Sequence, residues 1–591
     1  MRKLQGIAVS SGVAIAKAVI LNSDGQQMGV ATCAPDEVDA EFNLLQEALQ
    51  SASREISACR DDVTGKIGSN YGAIFDGHLL MLQDPNLFSM MRDGILKEHY
   101  TAEYSAYAAL TSYVQLFQRI QNPLMAERVN DVLDLRKRLL RILQKGKPQI
   151  HKFDHPSIVL SRNLTPSETA SMDTQSVKAF ATEIGGPSSH TAIVAQGLHI
   201  PAVVGIGPFL KLVTVGTTVI VDGDEGFFII DPDEKTLEHY RKLLDQRHSL
   251  NICLDSMRDL PAETIDGERI QLLGNIEFPQ EAQACMQSNA DGVGLYRTEF
   301  LYLSGKHPDE EAHFNAYKEV VETMNGKPVT IRTVDLGADK LLEPEENTGD
   351  SDHNYYINEE KNPCLGLRSI RLSLKRAGLF RKQLRAIYRA AYYGPVKIMF
   401  PLVSTVAEWR QARMIAEDVK EDLQDGNIPF NPNVPLGIMV EVPSTVLMID
   451  QFAPEVDFFS IGTNDLTQYA LAVDRTNMDV VYLYNSCDPA VLKLIDITMR
   501  SANRYNKPVS LCGQLGSNPY FTQLLIGMGL RQISLVPGTI PEVKRVVRHA
   551  RVSQCRKIAE RALKMENATE IRNYLWSEYL RLFPDLDGEV F

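Results

Sequence analysis

The alternation of polar and apolar positions changes rhythm several times along the chain, and each change marks a boundary. Residues 4 to 21 read as short apolar strands broken at Ser10-Ser11-Gly12. From about 35 to 146 the rhythm is helical, with apolar Phe42, Leu45, Ala48 and Leu49, abundant Glu, Arg and Lys, and few β-branched runs. Strand texture returns over about 156 to 232, at Ser157 to Leu160, Ala179 to Thr182, Ala202 to Val204 and Thr218 to Val221, and ends on the turn signal Asp222-Gly223-Asp224-Glu225-Gly226. The pattern predicts a helical bundle inserted into a β-containing α/β domain. A charged stretch from 234 to about 258 has no evident core stripe and predicts a connecting helix.

From about 262 to 575 short apolar runs alternate with longer helical stretches, the rhythm of βα units around a parallel sheet. Eight runs stand out: Gln271 to Ile276, Gly292 to Tyr296, Val329 to Val334, Val396 to Phe400, Leu436 to Val440, Phe458 to Ile461, Val509 to Cys512 and Gln532 to Val536. They predict a (β/α)8 TIM barrel, whose reactive groups gather at the C-terminal ends of its strands. At those ends stand Arg297, Arg332, Glu441, Asn464, Asp465 and Cys512. Guanidinium groups clamp phosphates and carboxylates through paired hydrogen bonds, and two carboxylates hold a hard divalent cation. The set describes a site for a phosphorylated carboxylic acid, although any barrel has polar strand ends and a single Arg or Asp there is equally a structural salt bridge.

A second candidate lies in Glu183-Ile184-Gly185-Gly186-Pro187-Ser188-Ser189-His190-Thr191-Ala192, where a strand passes through small residues into a helix-like run. Amides at a helix start stabilise an anion, and a neutral imidazole is nucleophilic near physiological pH. His190 in that place suits phosphorylation, and the same setting suits a capping or metal-binding histidine. The phosphate-binding barrel favours phosphorylation.

Composition narrows the classes further. At 591 residues the chain exceeds one core, which stops growing near roughly 250 to 300 residues. A net charge of -14 argues against nucleic-acid binding, which needs a basic stripe. The eight cysteines show neither CxxC pairing nor zinc spacing, no apolar run approaches the roughly 20 residues of a membrane span, and the N-terminus lacks a signal-peptide pattern. The expectation is a cytoplasmic enzyme without membrane insertion.

The stretches Gly185-Gly186 with Ser189-His190-Thr191, Gly294-Leu295-Tyr296-Arg297-Thr298-Glu299-Phe300, Asp457 through Tyr469 and Leu511-Cys512-Gly513 resemble Enzyme I of the bacterial phosphotransferase system. The chain is more distantly similar to pyruvate phosphate dikinase and phosphoenolpyruvate synthase. The resemblance to Enzyme I implies a swivelling phosphohistidine domain (1–30 and 147–233), an inserted helical domain that docks the carrier protein HPr (31–146) and a linker helix (234–260). It further implies a dimerising barrel that binds phosphoenolpyruvate and Mg2+ (261–575) and a tail (576–591). In that scheme His190 attacks phosphorus, Arg297, Arg332 and Mg2+ on Glu441 and Asp465 stabilise the transferring charge, and Cys512 protonates the pyruvate enolate. Lys340, Arg368, Asn464 and Arg475 match positions around the substrate anion, and Thr165 matches one near the phosphohistidine while also reading as a helix cap before Pro166. His78, in the helical insert, reads as a structural histidine.

Departures from the Enzyme I pattern are few. Pro187, Ser188 and Gln196 replace three residues around the histidine, two of them arginines, and Gln514 replaces a glutamate after Cys512-Gly513. Ser534-Leu535-Val536-Pro537 replaces a more polar run, and Glu343 to Glu360 is long and acidic. These changes motivate an alternative, a catalytically reduced paralogue that regulates by phosphorylation-dependent protein binding. A dikinase or synthase would need an ATP-binding domain for which the chain leaves no stretch.

Overall fold

A computed structural model describes the chain except residues 22–29, 68, 120–122, 145–154, 166–167, 170–171, 174–175, 187–189, 199, 303–307, 338–361, 476, 478 and 585–591. The chain forms two compact units, Met1–Ser249 and Leu250–Phe591.

In the first unit, β1 (Arg2–Gln5), β2 (Ile7–Ser10) and β3 (Val13–Leu21) precede a bundle of α1 (Val38–Ile67), α2 (Ser69–Leu82), α3 (Pro85–Leu96), α4 (Ala102–Arg119) and α5 (Pro123–Leu143). The sheet then resumes with β4 (Ser157–Ser161), β5 (Val177–Thr182), β6 (Ala202–Val204), β7 (Thr218–Asp222) and β8 (Phe227–Ile230). The sheet order is β1-β8-β7-β3-β4-β5-β6-β2. β3 and β4 are adjacent and parallel, so the chain must cross between their opposite ends, and the five helices occupy that crossover. β8 escaped the sequence reading because its Phe-Phe-Ile-Ile run does not alternate and directly follows a turn.

The bundle buries Leu45, Ile56, Phe75, Ile95 and Leu139, together with Val194 from α6 (His190–Gly197), so the helix that begins at His190 is packed on the bundle. Helix α7 (Glu234–Met257) does carry a small apolar stripe, for Leu237 and Tyr240 pack on Ile220 and Ile229, and the Tyr240 hydroxyl donates to Asp222 at 2.9 Å. His78 is fully buried in the bundle, 3.3 Å from Asp131 and 3.6 Å from Asp134, in keeping with a structural residue.

The second unit closes eight parallel strands into a barrel: β9 (Gln271–Ile276), β10 (Val293–Tyr296), β11 (Val329–Arg332), β12 (Val396–Phe400), β13 (Leu436–Val440), β14 (Phe458–Gly462), β15 (Val509–Cys512) and β16 (Gln532–Leu535). All eight predicted runs are strands. The last helix, Ala568–Leu582, extends into the stretch expected to be a tail, and Ile571 and Leu575 bury it against the barrel core. Among the described residues no helix is long and apolar enough to cross a membrane.

Packing of the outer helices fixes the barrel wall. Helix Val406–Asp425 starts in a capping box between Thr405 and Glu408, and its fully buried Trp409 meets Phe400 at 5.9 Å between ring centroids. Trp409→Ala is expected to lower barrel stability by about 3–5 kcal/mol and Thr405→Ala by about 1 kcal/mol, read as shifts of the urea unfolding midpoint by circular dichroism.

Candidate functional site

The C-terminal ends of the barrel strands open into a cavity of about 530 Å3. It is lined by Arg297, Arg332, Arg368, Glu441, Asn464, Asp465, Arg475 and Cys512, all named from the sequence, and by Glu277, Glu299, Phe300 and Asp335. Lys340 lies outside the described residues, as does the acidic stretch 343–360. A fixed register of parallel strands brings these groups together, although more than 200 residues separate Arg297 from Cys512.

The cavity is strongly charged, and its innermost groups, Arg332, Glu441 and Asp465, are buried. Arg332 is 8 % exposed and pairs with Glu299 at 3.0 Å and Asp335 at 2.9 Å, while Arg368 pairs with Asp335 at 2.8 Å. Burial disfavours the charged guanidinium of Arg332, but Glu299, Asp335, Glu441 and Asp465 outweigh it and keep the group protonated. Burial likewise pushes Asp335 up, yet Arg332, Arg368 and the Ser369 hydroxyl hold its carboxyl at about 2. Arg332 Nε is buried and has no hydrogen-bond partner among the described residues.

Two carboxylates tell the opposite story. Glu441 is 1 % exposed; one of its oxygens accepts from the Leu402 amide, and the other has no hydrogen-bond partner among the described residues. A Cβ at Gly462 would stand 2.8 Å from that second oxygen, so the glycine makes room for it. Asp465 Oδ1 is also without a hydrogen-bond donor among the described residues, with Arg475 3.8 Å away. Burial, then the charges of Asp465 and Asp335, push Glu441 up to about 8 against the pull of Arg332. Buried, donor-free oxygens that repel one another are what a hard cation relieves. Among the described residues no group of three or more His, Cys, Asp or Glu could hold a metal alone, so an ion here would share its shell with substrate or water oxygens.

Three family models match the chain: the N-terminal domain of PEP-utilising enzymes over residues 5–128, their mobile domain over 153–226 and their PEP-binding domain over 253–552. The phosphoenolpyruvate-protein phosphotransferase of Priestia megaterium is 36% identical over 582 residues, covering 98% of this chain and 99% of that protein. That of Listeria monocytogenes is 38% identical over 572 residues, covering 96% and 98%. A solution structure of an Enzyme I protein, 33% identical, covers 42% of this chain and 99% of that one at a TM-score of 0.36. The chain belongs to the phosphoenolpyruvate-protein phosphotransferase family.

Within this phosphotransferase fold, Cys512 forms the floor of the cavity. It packs with Leu295, Met399, Met439 and Phe458, its thiol lies 3.4 Å from the Ser460 hydroxyl, and burial pushes its pKa up. Gly513 follows at φ +127°, and a Cβ there would collide with the Thr463 hydroxyl. The backbone amide of Gln514 donates to Asn464 Oδ1 at 3.1 Å, a bond that does not depend on the side chain at this position.

Behind Arg332 runs a buried hydrogen-bonded chain that the sequence reading missed. Thr298 donates to the Arg332 carbonyl at 3.0 Å; Gln383 donates to Thr298 at 3.1 Å and to Tyr317 at 3.0 Å; Tyr317 meets His313 at 2.7 Å. Glu299, also missed as a site residue, accepts from the Asp335 amide at 2.8 Å.

In the first unit, His190 is the first residue of α6; its side chain, with Pro187, Ser188 and Ser189, lies outside the described residues. Thr191 donates to the Leu164 carbonyl at 2.6 Å, which ties this helix start to the segment carrying Thr165. Thr165 accepts from the Glu168 amide at 3.2 Å and its own amide donates to Glu168 at 2.8 Å, the reciprocal pattern of a capping box. Gln196 donates to the Val9 carbonyl at 2.7 Å and so anchors the helix to the sheet.

His313 supplies a pH test of the support network. Burial lowers its pKa from 6.5 to about 4, with Asp309 opposing, so the unfolded chain binds more protons between those values. Its contribution is complete above pH 6.5 and is lost as the pH falls toward 4, by up to about 3 kcal/mol. Urea unfolding of His313→Gln from pH 7 to 4 is expected to show a shallower decline than the parent. Gly513→Ala should also lower turnover by at least about tenfold in a pyruvate-release assay, because the floor of the cavity must shift.

Proposed function

We propose that the chain takes the phosphoryl group of phosphoenolpyruvate onto His190 in the presence of Mg2+, releases pyruvate, and passes the group to a histidine of an HPr-like carrier protein. The observation that carries this reading is the juxtaposition, in one cavity, of four arginines, two carboxylates with donor-free oxygens and a buried thiol. Arg297 and Arg332 hold the phosphate, while Arg368, Arg475 and Asn464 surround the rest of the anion; Lys340 is assigned to the same task by family likeness. Their fixed charges stabilise the transferring phosphoryl group without rearrangement. Glu441 and Asp465 would hold Mg2+, which when bound neutralises charge on the phosphoryl oxygens.

In the chemical step the P–O bond of the substrate breaks, an N–P bond forms on His190, and the enolate of pyruvate is left in the cavity. Cys512 suits the role of its acid, because burial keeps the thiol protonated, and delivery of that proton to the methylene carbon gives pyruvate. Thr165 belongs to the surroundings of the phosphohistidine. We assign 1–30 and 147–233 to the histidine-bearing domain, 31–146 to carrier docking, 234–260 to the linker, 261–575 to the substrate barrel and 576–591 to the tail. The enzyme is proposed to be cytoplasmic and to dimerise through the barrel, where Leu447 and Tyr482 are 74 % and 77 % exposed. The retained barrel residues and the structural use of Gln196 give no support to a catalytically reduced regulator.

Incubation with labelled phosphoenolpyruvate and Mg2+ is expected to place acid-labile label on the peptide containing His190, and the label to chase onto an HPr-like protein. Equal labelling of His190→Ala would sink the reading. Cys512→Ala should slow pyruvate release by about 10²–10⁴-fold.

A further inference from the structure

Each arginine of the cavity has a carboxylate neighbour, but the pairs differ in how freely they can part. The carboxylates facing Arg332 and Arg368 are Glu299 and Asp335, with side chains 19% and 5% exposed, and the one facing Arg475 is Asp465, at 11%. Arg297 donates to Glu277, whose side chain is 51% exposed. Separating a buried pair strands a charge in a poor solvent, whereas an exposed pair is weak and exchanges with water or another anion. Glu277 is therefore the carboxylate in this set that can leave its arginine at little cost.

The backbone around this pair is anchored while the side chains reach into solvent. The Glu277 amide donates to Glu281 at 2.6 Å, and the Arg297 amide donates to the Ile276 carbonyl at 2.9 Å. Both residues line not only the substrate cavity but also an adjoining cavity of about 710 Å3 that contains Tyr520 and Trp576. The pair thus stands on a wall shared by the two cavities, with room beside it in the adjoining one.

We propose that Glu277 is a positioning residue that acts through Arg297 as an internal competitor for the substrate anion. Its carboxylate occupies the guanidinium in the free enzyme and swings toward the adjoining cavity when the phosphate of phosphoenolpyruvate takes its place. The proposal rests on the reading of the cavity as the phosphoenolpyruvate site. A group that engages Arg297 before substrate binds and is absent from the transition state raises KM and leaves kcat unchanged.

The test uses the full chain with Mg2+. Glu277→Gln and Glu277→Ala are compared with the parent in steady-state phosphotransfer and in calorimetric titration with phosphoenolpyruvate. Glu542→Gln, which removes a charge from the adjoining cavity wall, serves as control. The expected result is a fall of about two- to fivefold in both KM and Kd for the Glu277 variants, with unchanged kcat and an unchanged control. Unchanged or raised KM overturns the proposal, and so does an equal fall in the control, which would signify bulk charge. A kcat reduced tenfold or more overturns it by putting Glu277 in the chemical step. If the parent itself fails to bind phosphoenolpyruvate, the reading of the site falls and this proposal with it; binding by the parent without the KM shift removes the proposal alone.

Discussion

A guanidinium can be kept charged inside a barrel only when carboxylates meet it there, and the site is organised around that requirement at Arg332. Glu299 and Asp335 answer it together, and Asp335 also holds Arg368, so one acidic residue sets the spacing of two cationic ones. The same pairing holds the Asp335 carboxyl well below the ordinary carboxylate range. A preformed array of this kind stabilises developing charge without having to reorganise.

The cluster keeps its geometry because the barrel wall behind it is polar and satisfied. Thr298, Gln383, Tyr317 and His313 link the end of β11 to helices Glu310–Thr323 and Ala377–Ala390. Buried polar chains of this kind are costly when incomplete and rigidifying when complete. In the same cavity Glu441 and Asp465 each keep an oxygen without a hydrogen-bond donor among the described residues, so ion-paired guanidiniums stand beside under-satisfied carboxylates. A phosphorylated anion bound with a divalent cation is complementary to both.

Phosphoryl relay separates two demands. Activation of the substrate calls for a rigid, charged cavity, and delivery calls for a nucleophile that can visit two partners. The first resides in a barrel with a continuous core; the second is assigned to His190 at the start of a short helix tied to the sheet by Gln196 and to the bundle by Val194. Gln196 makes a neutral hydrogen bond where an arginine is usual, so the helix keeps its anchor while the surroundings lose a charge.

The sequence by itself determined the eight barrel strands, because each is an apolar run delimited by polar punctuation, and it determined the residues at their ends, because a parallel barrel has one reactive face. Motif likeness also singled out Arg368 and Arg475, which no periodicity marks. Tertiary structure alone decided which carboxylates are spoken for and which are not: Asp335 and Glu441 are both acidic residues near strand ends, yet one is enclosed by two arginines and the other faces a fellow acid. It likewise decided the support from Gln383 and His313, and the exposed pairing of Glu277 with Arg297. The reason is physical. Composition and spacing say what a side chain can do, but the charge it carries and the partner it keeps depend on burial and on neighbours that only the closed barrel brings within reach.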